Sequence, residues 1–138
     1  MSLNLALALR IAGVLHLGLM CAGLMMPRVV GMRRHLEALP VFLRQLFWVY
    51  YAFIALSLVA FSAITVVFAD TLAAGGSLAR ALCAFFAVFW TLRLLAATFV
   101  FDMRPYLTTT SRRIGYQALN AVFAYLPVVY AIAAVGTR

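Results

Sequence analysis

Lysine is absent from this chain, and the acids number three: Glu37, Asp70 and Asp102. All three fall between the long apolar runs or at their edges. No carboxylate is therefore expected at membrane depth, where proton- or sodium-coupled carriers usually keep one. That argues against coupled cation transport and leaves anion or lipid binding open. Reactive motifs are missing as well. There is no HExxH, CxxC, Walker loop or GxSxG, so the chemistries built on them lack their starting residues, and no metal site is expected. Cys21 and Cys83 each sit alone inside an apolar run and read as small buried hydrophobes.

What is present is apolar surface. Of 138 residues, 67% are hydrophobic, and the mean hydropathy is +1.09. Soluble domains are roughly half apolar, so the expected solvent is lipid. The length suits one domain spanning 1–138, with no linker-like tract to divide it. All eleven basic residues are arginine, and the net charge is +8. The arginines bracket the apolar runs, as in proteins that orient against anionic lipid. They form no stripe with interleaved stacking aromatics, so nucleic acid is not an expected partner.

The fold class expected is an all-α integral membrane protein, a four-helix transmembrane bundle with a short amphipathic interfacial helix after the first span. Spans are expected at about 3–26, 46–68, 79–101 and 114–134, each near the ~20 residues that cross the hydrocarbon core. The first is read as a retained helix: Met20 stands where a lipoprotein signal needs a small residue before Cys21, and no A-x-A site follows. Arg28, Arg33, Arg34 and Arg44 lie in the first connection, and Arg104, Arg112 and Arg113 in the third. The positive-inside rule then puts these connections in the cytoplasm of a bacterial-type plasma membrane, with both termini outside. In "PRVVGMRRHLEALP", Val29, Met32, Leu36 and Leu39 recur at helical spacing, which predicts the interfacial helix over about 28–39. Arg28, Arg33, Arg34, Arg112 and Arg113 are the expected contacts to anionic headgroups. Ser111 or Thr110 is the expected N-cap of the last span, and Pro127 is expected to kink it.

Arg93 stands deep inside the third run, "FWTLRLLAATF". A charge at the bilayer centre costs about 2.5–3.5 kcal/mol on insertion scales. It is expected about 12 Å from the cytoplasmic end of its helix, facing the bundle interior or an inward-opening cleft. His16, Trp90, Tyr50, Tyr51, Gln117 and Asn120 are expected at comparable levels, completing a candidate ligand site in the cytoplasmic half. Two readings of these residues stand side by side. They are a polar pocket for a lipophilic or anionic amphiphile, or they are interhelical hydrogen bonds that only hold the bundle together. Trp48, Tyr50 and Tyr51 also fit an interfacial aromatic belt.

Three function classes follow. The first is a non-enzymatic binding or accessory protein holding a lipid, a quinone or another amphiphile. The second is a membrane-anchor subunit of a redox complex, with haem or quinone as cofactor and His16 as the haem ligand within a span. The third is a small oligomeric passive transporter or channel, with Gly18 and Ala22 as a small-xxx-small contact between copies or within a larger complex. The histidine and tyrosines are able to move protons, but no residue pattern argues for a reaction.

Overall fold

The computed structural model describes residues 2–136. Among these residues six α-helices follow one another: α1 (Ser2–Val29), α2 (Met32–Glu37), α3 (Val41–Val67), α4 (Ala69–Ala74), α5 (Ser77–Phe99) and α6 (Thr110–Val135). A 3-10 turn, Arg104–Tyr106, precedes α6, and no strand occurs among the described residues. Helices α1, α3, α5 and α6 are each long and apolar enough to cross a membrane.

Local chemistry explains where the elements begin and end. Helix α1 runs three residues beyond the expected end, through Pro27 to Val29. Proline has no N–H to give the carbonyl four residues back, which is that of Gly23. The hydroxyl of Tyr51 on α3 donates to the Gly23 carbonyl instead, so the break in the α1 ladder becomes a tie between two helices. Gly31 then takes a left-handed conformation, φ +62, which glycine adopts without steric cost. That turn divides the expected interfacial helix: its first residues finish α1, and only Met32–Glu37 form α2. Within α2, Leu36 is buried while Arg33, Arg34 and Glu37 are exposed.

The second connection, "ADTLAAGGSL" (69–78), is too short and bland to read from sequence as more than a link. Instead Ala69–Ala74 form α4, which lies against α1 and buries Ala69, Leu72 and Ala73. Alanines let its backbone approach closely, and the exposed pair Arg10–Asp70 bridges the two helices at 2.8 Å. Gly75, with φ +69, turns the chain into α5. The N-cap of α6 falls at Thr109, one residue before the earlier of the two expected positions; its hydroxyl accepts from the Arg112 amide at 3.4 Å. Helix α6 continues through Pro127.

Helix α1 is the centre of the bundle. It packs on α3, α4 and α6, while α5 packs chiefly on α6. Its buried face is Ala6, Leu9, Ala12, Gly13, His16 and Leu19, where the small residues Ala6, Ala12 and Gly13 let helices approach. At Gly13 the approach is tightest: a Cβ there would overlap Val66 Cγ2 and lie 3.2 Å from the Val66 amide nitrogen. The Ser62 hydroxyl donates to the Gly13 carbonyl at 2.8 Å in the same seam.

Candidate functional site

His16 is fully buried, and it meets side chains from every other long helix. Its ring lies 6.2 Å from Phe61 on α3, 5.1 Å from Trp90 on α5 and 6.0 Å from Tyr130 on α6. The Trp90 indole N–H donates to His16 Nε2 at 3.0 Å, and His16 Nδ1 stands 2.7 Å from the Ala12 carbonyl. An indole nitrogen only donates and a carbonyl only accepts. Nε2 therefore carries the lone pair, and Nδ1–H donates to Ala12. Both ring nitrogens are engaged, so a haem iron could reach Nε2 only by displacing Trp90.

The other interior polar groups are paired in the same way. Thr65 Oγ1 and the Tyr130 hydroxyl are 2.7 Å apart, and the Tyr125 hydroxyl donates to the Ala8 carbonyl at 3.1 Å. Among the described residues, no buried side-chain nitrogen or oxygen lacks a partner. The first of these bonds ties α3 to α6 and the second α6 to α1, while Trp90–His16 ties α5 to α1. With every buried nitrogen and oxygen among the described residues paired, no free N–H or O–H remains in the core to orient a ligand.

Arg93 takes a different position. It lies on the outer surface of α5, six residues or ~9 Å along the helix from its end at Phe99. Past that end the chain hooks back, with the Phe101 amide bonded to the Ala96 carbonyl at 3.3 Å. The guanidinium is sandwiched between aromatic faces, 5.5 Å from the Phe101 ring centroid and 5.0 Å from that of Phe123. It makes no hydrogen bond or ion pair among the described residues. Phe123 also stacks on Trp90 at 6.0 Å, so a chain of rings connects Arg93 to His16 without any polar contact between them.

The remaining expected site residues do not join this group. Tyr51 is committed to the Gly23 carbonyl. Tyr50 points outward from α3 at 61% exposure. Gln117 is exposed and Asn120 half-buried on α6, neither with a side-chain hydrogen bond. Of the seven candidates, the structure brings together His16 and Trp90 by a hydrogen bond and sets Arg93 beside them through Phe123.

At the basic end the arginines divide into two groups. Arg112 Nη1 donates to the Tyr106 carbonyl and Thr108 hydroxyl, both at 3.3 Å, and Arg113 Nε donates to the Leu107 carbonyl at 3.2 Å. These two hold the third connection in shape. Asp102 accepts from the Arg104 backbone amide at 3.1 Å and forms no ion pair among the described residues.

Arg33 and Arg44 are not engaged in this way. They line an open cavity of about 350 Å³ together with Leu36, Glu37 and Trp48, a volume at the small end of ligand sites. Arg33 and Glu37 stand one turn apart on α2, and Arg44 and Trp48 one turn apart on α3, so each pair shares a helix face. None of the three charged side chains makes an ion pair or side-chain hydrogen bond among the described residues. The sequence marks Arg33 and the aromatic belt separately; it gives no sign that residues of α2 and of the first turns of α3 line one cavity.

No family model, curated protein or solved structure matches the chain.

Proposed function

We propose that the chain is a multi-pass protein of a bacterial-type plasma membrane that binds a phosphate-bearing amphiphile at its basic end and catalyses no reaction. The supporting observation is the cavity between α2 and α3, where two unpaired guanidiniums meet an indole and a buried leucine. Guanidinium is the side chain best matched to phosphate oxygens. Trp48 has the amphipathic character of residues at the headgroup level, and the exposed apolar flank of α3, including Val41 and Phe42, offers a path for acyl chains.

Positive-inside reasoning places this end in the cytoplasm, where anionic lipid concentrates. A cysteine introduced at Gly76 should then react with an impermeant maleimide from outside intact cells. One at Thr108 should react only after permeabilisation.

Native mass spectrometry of the detergent-solubilised full chain, titrated with phosphatidylglycerol, tests the binding. Each basic residue near an anionic surface contributes about 1 kcal/mol, so R33A and R44A should each weaken retention about fivefold. Undiminished retention in a folded R33A/R44A double variant would remove this reading.

A further inference from the structure

Glu37 is out of place in a cavity built only to hold an anion. It is one of three acids in the chain, and the other two are engaged: Asp70 with Arg10, and Asp102 with the Arg104 amide. Glu37 lines the same cavity as Arg33 and Arg44 and is close enough in sequence to Arg33 for an i,i+4 pair, yet it forms an ion pair with neither among the described residues. A purely anionic headgroup would be repelled by this carboxylate. A headgroup with a cationic nitrogen beside its phosphate would be held at both ends, the phosphate by the two guanidiniums and the nitrogen by Glu37.

We propose, resting on the headgroup reading above, that the α2–α3 cavity selects a zwitterionic phospholipid headgroup, with Arg33 and Arg44 on its phosphate and Glu37 on its ammonium. The occupant is a membrane lipid, because the cavity includes Trp48 and Leu36 beside the apolar flank of α3.

The test compares phosphatidylethanolamine with phosphatidylglycerol of the same acyl chains, bound to the full-length wild type and to E37Q, by native mass spectrometry. Wild type should retain the ethanolamine lipid about three- to fivefold better, the size expected for one solvent-exposed ion pair. In E37Q the preference should vanish while phosphatidylglycerol binding holds or rises, which also shows that the variant is folded. Equal binding of both lipids by wild type, or an unchanged preference in E37Q, would overturn the selectivity and leave the phosphate site standing. Retention of both lipids by R33A/R44A at the wild-type level would overturn the site and the selectivity together.

Discussion

The indole N–H of Trp90 donates to Nε2 of His16 across 3.0 Å, and this bond assigns the buried histidine its tautomer and its work. It joins the central helix α1 to α5, two helices that otherwise meet mainly through rings. W90F keeps most of the ring packing but leaves Nε2 with no partner in a dry core. The expected loss is about 1–3 kcal/mol. An H16L/W90F double variant, with both polar groups gone, should lose less than the sum of the single changes. A double-mutant cycle by denaturant unfolding in micelles measures the difference, for which membrane helix pairs average about 0.6 kcal/mol. Strict additivity would mean that the bond contributes nothing.

Tyr51 repairs the carbonyl that Pro27 orphans at Gly23. Y51F should therefore destabilise by about 1–3 kcal/mol, whereas Y50F, on an outward-facing side chain, should stay within about 0.5 kcal/mol. Restoring the α1 ladder with P27A should reduce the cost of Y51F. Thermal unfolding of the four proteins distinguishes this coupling from independent effects.

Glycines 13 and 18 lie on the same helix with opposite surroundings. A methyl at Gly13 runs into Val66, while at Gly18 nothing lies within 4 Å. Overpacking costs typically 1–3 kcal/mol, so G13A should lower the melting temperature measurably and G18A should leave the monomer unchanged. A shift to smaller species on size exclusion for G18A would instead reveal a contact between copies at that position.

Arg93 carries a charge within an apolar helix and makes no hydrogen bond or ion pair among the described residues. R93L should keep the fold, and in a glycosylation-mapping assay α5 should insert more favourably, by less than the ~3–4 kcal/mol that separates arginine from leucine at a helix centre, because Arg93 lies six residues from the helix end. R93K, which retains the charge but loses the flat stacking surface for Phe101 and Phe123, should be less stable than wild type by about 0.5–1 kcal/mol. Unfolding of R93L would mean that the aromatic sandwich is a structural necessity.

Much of the architecture was legible because lipid imposes few solutions. Long apolar runs of ~20 residues and arginines clustered in alternate connections read as helices and their ends from sequence alone. The helix limits slipped by a few residues where backbone chemistry took over from hydropathy. Pro27 was tolerated near a helix end, and Gly31 broke a periodic pattern through its left-handed turn. Among the candidate site residues, the pairing of His16 with Trp90 depends on two residues 74 positions apart, on different helices, meeting in register, which periodicity within each helix does not encode.

Sequence alone determined that this protein is built of helices suited to lipid, because composition and run length decide which solvent a chain requires. Tertiary structure decided which polar groups became internal ties and which stayed available. His16, Tyr51, Tyr125 and Tyr130 were absorbed by partners on other helices, because an unpaired polar group in a dry core is costly. Arg33 and Glu37 escaped that fate because a six-residue helix, entered through one glycine, holds them at the bundle's rim, and Arg44 did so because it lies only half-buried in the neighbouring first turn of α3.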